Sequence, residues 1–289
     1  MRAGTVLATL DTMPASKLVV REVRCKSVLN RSSLGEYSLN CYTGCEHGCV
    51  YCYARFMQRF HPHPEPWGGF VDVKVNAPEV LERQLRRAKP GGVFTSSACD
   101  GWQPIEKEWE LTRRCCKLLT DHGFSVGALT KNALVLRDLD VLRPGLSRVG
   151  TTVTTLDQRL ASLWEPLASP VEERWRILRE AKAAGFETSV MFGPLLPFLS
   201  DGQESLDAMF GLAAEARVDV IWVDAMNARP RVWPSVAELL RREFPALHEE
   251  YGRLLHHALT REAYVSALRA RVRKAARHAG IEDRLAGCP

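Results

Sequence analysis

The chain predicts an α/β fold, a partial (β/α)6 barrel of the TIM type with a helical C-terminal extension. Three observations carry that expectation. Short apolar runs alternate with amphipathic segments in one repeated order, as a parallel sheet with crossover helices requires. Glycines follow several of the amphipathic segments where a helix would end. The length of 289 residues is ample for a barrel, since α/β barrels commonly run to about 200–250 residues as one domain.

In chain order, residues 1–36 read as an N-terminal extension and Tyr37 to Asn40 as the first strand. A cysteine-rich loop follows, and then the proline-rich stretch His61 to Gly69, which excludes regular helix or central strand. The first helix is expected over 77–89, with Pro78 suited to its first turn. Further strands are expected at 92–97, 125–130, 148–154, 187–193 and 219–224, and further helices at 106–122, 134–142, 171–184 and 203–216. Gly123 and Gly185 sit where a C′ glycine would close the helices before them. The barrel would then occupy residues 37–234, with a helical extension, 235–289, packed on it. Right-handed crossovers gather the strand C-termini on one rim, the rim that bears the active site in closed barrels.

Composition sets outer limits. With 46% hydrophobic residues and no apolar stretch approaching about 20 residues, no membrane span is expected. The first residues lack the charged start and continuous apolar core of an export signal. Nine cysteines spread over the whole length do not look like a secreted disulfide framework, so free thiols and a cytoplasmic location are expected. A net charge of +5 permits nucleic-acid binding without arguing for it. Tyr264, Leu268, Val272 and Ala275 recur at helical spacing near the end, which leaves Arg269, Arg273, Lys274 and Arg277 on a solvated face.

The most informative run is residues 41–53, Cys-Tyr-Thr-Gly-Cys-Glu-His-Gly-Cys-Val-Tyr-Cys-Tyr. Cys45, Cys49 and Cys52, spaced C-x3-C-x2-C, put three thiolates on one short loop. On a four-iron cube three cysteines leave one iron without a protein ligand, open to a small molecule. A structural zinc site would need a fourth ligand, Cys41 or His47, crowded into the same loop. A ferredoxin pattern would need a further cysteine followed by proline, and the Cys288-Pro289 pair lies at the far end. Cys41 is read as a packing thiol, Cys115 and Cys116 as core, and the His61/His63 pair as part of an ordered surface loop.

With Tyr51 as the aromatic residue before its last cysteine, this motif resembles the signature of the radical S-adenosylmethionine (SAM) superfamily. The wider run Asn40 to Arg55 is similar to the branch related to spore photoproduct lyase, a DNA repair enzyme. Gln103 to Glu106, Leu129 to Asn132, Leu136 to Leu139, Thr154 to Asp157 and Glu165-Pro166 resemble segments of that branch too, so the likeness runs over roughly residues 17–230. The resemblance implies a [4Fe-4S] cluster on Cys45, Cys49 and Cys52, and S-adenosyl-L-methionine bound at the open iron and cleaved reductively to a 5′-deoxyadenosyl radical. It also implies a reducing partner such as ferredoxin or flavodoxin.

The same resemblance nominates the remaining site residues. Tyr51 belongs to the motif, and Lys131, at the end of the third expected strand, matches a contact to the SAM carboxylate. Thr154 matches a hydroxyl contact, and Glu165 a ribose or structural one. In place of the Gly-Gly-Glu motif common in the superfamily, the chain has Thr95-Ser96-Ser97-Ala98-Cys99-Asp100, in which Ser97 is the candidate for the SAM amino group. Cys99 falls where the lyase carries a cysteine hydrogen donor. The substrate stays open between a nucleic-acid lesion or base, with Trp67, Trp102 or Trp233 as stacking candidates, and a small molecule or peptide. A non-catalytic iron-sulfur redox protein is the alternative from outside the enzymes.

Overall fold

The computed structural model describes residues 18–227, 229 and 231–289. The reading of the first residues as lacking an export signal falls on 1–17 and lies outside the described residues. Six of the strands are Tyr37–Leu39 (β3), Gly92–Thr95 (β6), Ser125–Thr130 (β7), Arg148–Thr152 (β8), Glu187–Leu195 (β9) and Val220–Ala225 (β10). Each pairs parallel with the next, in chain order, as the alternation predicted. The sheet is open: Leu29–Arg31 (β2) adds antiparallel to β3 at one edge, and Leu285–Gly287 (β11) adds parallel to β10 at the other. No pairing joins the two edges among the described residues.

A second, three-stranded sheet was not anticipated. It holds Val19–Val23 (β1), Phe70–Lys74 (β5) and Tyr42–Thr43 (β4), in the order β1-β5-β4. Residues 18–36, expected as an extension, thus contribute β1 and β2 to the two sheets. The run Phe-Val-Asp-Val-Lys of β5 is a strand because both neighbours bond to it, and it is buried along nearly its full length. The stretch is a surface loop, with His61, Pro62 and Pro64 exposed, but the His63 side chain turns inward and does not pair with His61. The His63 side chain is 1% exposed, its ring stacks on Phe70 at 3.8 Å, and its nitrogens lie 3.1 Å from Asp72 and from Glu65.

The helices are Ala77–Leu85 (α1), Glu106–Trp109 (α2), Leu111–Asp121 (α3), Gln158–Trp164 (α4), Val171–Ala183 (α5), Gln203–Glu215 (α6), Trp233–Glu243 (α7), His248–His256 (α8) and Ala258–His278 (α9). Gly123 and Gly185 have positive φ just past α3 and α5, the closure the sequence indicates. The expected helix over 106–122 is broken at Glu110, which takes the left-handed conformation. The buried Glu106 carboxylate accounts for the restart: it accepts the backbone N–H groups of Thr112 and Arg113, both at 3.0 Å, and so caps α3. The expected helix over 134–142 is a 3-10 segment, Ala133–Asp140, opened by the Asn132 side chain accepting from the Leu134 N–H at 3.0 Å.

On α9, Leu268, Val272 and Ala275 are buried in one apolar cluster with Leu206, Met209 and Phe210 of α6. Arg269, Arg273, Lys274 and Arg277 are exposed, the solvated face expected from their spacing. No described helix is long and apolar enough to cross a membrane.

Candidate active site

The cysteine loop leaves β3 at the C-terminal rim of the sheet, and long-range contacts fix its shape. Gln103 stitches it to the segment after β6: its side-chain oxygen accepts the Glu46 N–H at 2.8 Å, and its amide donates to the Gly44 carbonyl at 3.4 Å. Glu46 answers by accepting the Ile105 N–H at 2.5 Å. On the other side the Val50 N–H donates to the Trp164 carbonyl at 2.9 Å, and Tyr51 stacks on Trp164 with centroids 6.4 Å apart. Gly68, at φ +99°, lies so close to the loop that a Cβ there would stand 2.9 Å from the Gly48 Cα, which only glycine allows.

Cys45 and Cys49 are each 6% exposed and Cys52 is half-buried. Burial pushes all three thiols up, that of Cys49 to about 12, so binding a metal centre must displace their protons. Among the described residues no three His, Cys, Asp or Glu side chains converge on one ion position. The all-thiolate donor set fits an iron-sulfur cluster. Cys41 turns away from the loop, its sulfur 3.7 Å from that of Cys115 in the core.

Glu165 is buried and committed within the protein. Its carboxylate accepts from the Tyr51 hydroxyl and pairs with Arg174 at 2.5 Å. Burial raises its pKa, but the Arg174 and Lys131 charges outweigh this and hold it below the usual carboxylate range. Arg174 also donates to the Thr152 carbonyl at 3.1 Å and the Ser169 carbonyl at 2.8 Å. Glu165, expected as a ribose or structural contact, braces Tyr51, and through it the cysteine loop.

Lys131 stands at the end of β7, its ammonium 5.7 Å from the centre of the Tyr51 ring. Burial works against its charge, yet the neighbouring Cys49 and Glu165 leave its pKa raised. Its backbone is pinned by Asp100, which accepts the Lys131 N–H at 2.8 Å and the Thr130 hydroxyl at 2.6 Å. His47 lies between Asp100 and Asn132, 3.4 Å from each, and burial lowers its pKa.

The loop after β6 is held by Asn40. Its side-chain oxygen accepts the N–H groups of Ser97 and Ala98 at 3.0 and 2.7 Å and lies 4.0 Å from the Cys99 sulfur, while its amide donates to the Ser97 hydroxyl at 3.0 Å. Ser97, the expected amino-group contact, is thus occupied within its own loop. Of the hydroxyls that are buried with no partner among the described residues, three stand at this rim: Thr95 and Ser96 at the end of β6, and Thr154 just past the end of β8. Orphaned polar atoms of this kind at the rim are fitted to a polar ligand. Cys99 packs against the group formed by Cys45, Ala54, Trp67 and Phe70, and burial pushes its thiol up to about 12.

Of the stacking candidates, Trp102 is fully buried with its Nε1 donating to Asp138 at 2.9 Å, and Trp67 is 6% exposed. Neither offers a face to a base. A run of exposed aromatic rings begins on the 3-10 segment Tyr53–Arg59, which leads directly out of Cys52, and ends at Phe60 just past it: Tyr53 stacks on Phe56 at 6.5 Å and Phe56 meets Phe60 edge-on. The Tyr53 hydroxyl donates to the Ser97 carbonyl, which ties this patch to the rim. Sequence reasoning missed Asn40, Asp100 and Arg174 as positioning groups. Asn40 stood at a strand end, which was the available signal; Arg174 gave none, because an arginine in the first turn of an amphipathic helix reads as solvent-exposed, whereas here it is buried against Glu165.

Comparison with known proteins agrees with this geometry. The family model described as the radical SAM superfamily matches residues 39–209. An uncharacterised protein of Methanocaldococcus jannaschii is 32% identical over 189 residues, which cover 64% of this chain and 71% of that one. An uncharacterised protein of Mycobacterium bovis is 29% identical over 251 residues, 82% of this chain and 74% of that one. Among solved structures, a spore photoproduct lyase double mutant with bound AdoMet and dinucleoside spore photoproduct superposes with a TM-score of 0.67 at 16% identity, covering 90% of this chain and 79% of that one. A second lyase structure, complexed with the dinucleoside alone, gives a TM-score of 0.64 at 15% identity over the same shares. The α/β fold is that of these enzymes, and the chain belongs to the radical SAM superfamily.

Proposed function

We propose that the protein is a radical SAM enzyme whose sheet curls as a partial barrel around a [4Fe-4S] cluster held by Cys45, Cys49 and Cys52. The observation that carries this reading is the meeting, on one rim, of the three-thiol loop with Lys131 and the unpartnered hydroxyls of Thr95, Ser96 and Thr154. When bound, the cluster supplies one electron to SAM, which it cleaves to methionine and a hydrogen-abstracting 5′-deoxyadenosyl group. Lys131 would neutralise the SAM carboxylate, and the free hydroxyls would satisfy its polar atoms. Glu165 and Arg174 keep Tyr51 and the loop in place. The unpaired cysteines suit a reducing, cytoplasmic setting with ferredoxin or flavodoxin as electron donor.

The substrate we propose is a nucleobase, as a lesion or an intact base. The lyase-like fold supports it, and so does the exposed aromatic run Tyr53, Phe56 and Phe60 with Arg59 beside it, since aromatic faces next to a cation stack bases. Cys99 would donate the returning hydrogen atom, a role that needs the protonated thiol its burial favours. The test is to supply the anaerobically reconstituted, reduced protein with SAM in deuterated water, alone and with irradiated DNA, nucleosides and peptides. Formation of 5′-deoxyadenosine with deuterium entering a nucleic-acid product supports the proposal. A product from peptides alone would move the substrate to that class, and an intact cluster with no cleavage would leave a redox protein.

A further inference from the structure

Side chains alternate along β10. Ile221, Val223 and Ala225 are buried in the apolar cluster that β10 shares with α6 and α9. Trp222 and Asp224 therefore point to the sheet face turned away from those helices, and both are exposed, Trp222 to 42%. An exposed indole two residues below a carboxylate, at the active rim, asks for an explanation. Strand register places both in the row that leads to the candidate site: Met191 pairs with Trp222 and with Thr152, and Lys131 follows the Thr130–Thr151 pair. Trp222 and Lys131 are thus three strands apart, about 14 Å along the sheet. Just past β10, Met226 is buried in the cluster that holds Cys49 and Tyr51, so the end of the strand abuts the cysteine loop.

Local geometry keeps the two side chains in place and open. The six-membered ring of the Trp222 indole lies against Gly287 of β11, where a Cβ would stand 2.5 Å from it. Gly193 of β9 leaves a notch beside the carboxylate, since a Cβ there would lie 3.0 Å from the Asp224 Cβ. Arg261 directs its N–H groups to the Met226 carbonyl and to Asn227, the latter at 2.7 Å, and acts on Asp224 by charge alone, as Arg229 does. No side chain pairs with Asp224 among the described residues.

We propose that Trp222 and Asp224 form a guanine subsite, the indole stacking on the base and the carboxylate accepting its N1–H and 2-amino hydrogens. The inference rests on the nucleobase reading above and names the base. An ionised carboxylate only accepts, and it bonds best to two parallel N–H groups. Guanine alone of the common bases sets two donors side by side on its pairing edge, the edge read when a base is taken out of the stack. Adenine, the base of SAM, and cytosine set a donor beside an acceptor. An arginine side chain offers the same donor pair and also stacks on indole. It would bring a third positive charge next to Arg261 and Arg229, whereas a guanine nucleotide brings an anionic phosphate.

The experiment is calorimetric titration of the anaerobically reconstituted wild type, Asp224→Ala and Trp222→Leu with GMP, IMP, AMP, CMP and UMP. IMP lacks only the 2-amino group and should bind wild type about tenfold more weakly than GMP, the worth of a hydrogen bond to a charged acceptor. Asp224→Ala should bring the two to equal affinity. Trp222→Leu should weaken both alike, about tenfold, and keep their ratio. Equal affinity for GMP and IMP in wild type overturns the inference without any variant. So does a variant at either position that weakens SAM binding and leaves GMP unchanged, which would give the side chains to the cofactor. N-acetylarginine amide bound more tightly than GMP would give the subsite to a peptide and overturn it too. The same preparations are then run with SAM in deuterated water. Deuterium entering a pyrimidine product alone overturns this inference and spares the nucleobase reading. A product from peptides alone overturns both.

Discussion

The two halves of the large sheet bury different chemistry. Around β9, β10, α6 and α9 the interior is Phe192, Met209, Phe210, Val223, Leu268 and Val272, held by apolar contact. Between β3 and β8 the buried set includes Glu46, Gln103, Glu106, Asp138, Glu165 and Arg174, each tied into hydrogen bonds or ion pairs. Buried polar groups cost free energy unless fully paired, so such a network is a weak way to gain stability and a good way to fix positions. Both halves rest on large apolar clusters, and in the half between β3 and β8 the polar network is added to one of them and holds the rim.

Breaking each half should give different signatures. The largest effect is expected for Cys49→Ala, which should reduce the iron-sulfur absorbance and 5′-deoxyadenosine formation to background. Arg174→Met removes the ion-pair partner of the buried Glu165 carboxylate, and should cost about 3–5 kcal/mol in denaturant unfolding. It should also lower cluster occupancy, because Tyr51 loses its brace. Phe210→Ala in the apolar half should cost a similar amount, about 3–5 kcal/mol, with cluster content per folded molecule unchanged. If Phe210→Ala lost the cluster in proportion to stability, the division between the halves would fail.

Thr154→Val sharpens the comparison. Because the hydroxyl has no partner among the described residues, its removal should leave unfolding stability the same or higher while weakening SAM binding about fivefold, the worth of one hydrogen bond near 1 kcal/mol. Asp219→Asn should do least. Burial opposes the Asp219 charge, but its pair with Lys182 at 2.5 Å and its bonds to Thr188 win, and hold its pKa below the ordinary 3.8. A depressed carboxylate stabilises the fold above its ordinary pKa and loses that contribution as pH falls through the lower folded value. The variant should thus be less stable than wild type by about 0.5 kcal/mol at pH 7, allowing for solvent screening, with the gap closing in acid. Urea midpoints at both pH values check the sign.

Much of this was legible in the sequence, for identifiable reasons. The six parallel strands announce themselves as short apolar runs between helical patterns, and the cysteine spacing marks the three-thiol loop. β5 was missed because its run sits against a Gly-Gly pair and a proline-rich stretch, although its alternation of valines was a usable signal. β11 is too short to declare itself. The commitment of Glu165 could not be read, because its partner Tyr51 is brought close only by the fold, and neither could the break at Glu110, which turns on a glutamate that the fold buries against Tyr42. Glu106 caps a helix while its carboxylate also accepts from Tyr42, and Glu165 meets Tyr51 across 114 residues.

The central claim is that three cysteines, Lys131 and the rim hydroxyls form one pocket in which SAM binds the open iron. Electron-nuclear double resonance on the reduced cluster, with SAM labelled with 15N in its amino group, tests it most directly. The account predicts a 15N coupling that appears on adding SAM and is lost in Cys49→Ala. A well-formed four-iron cluster that shows no coupling at saturating SAM would contradict it.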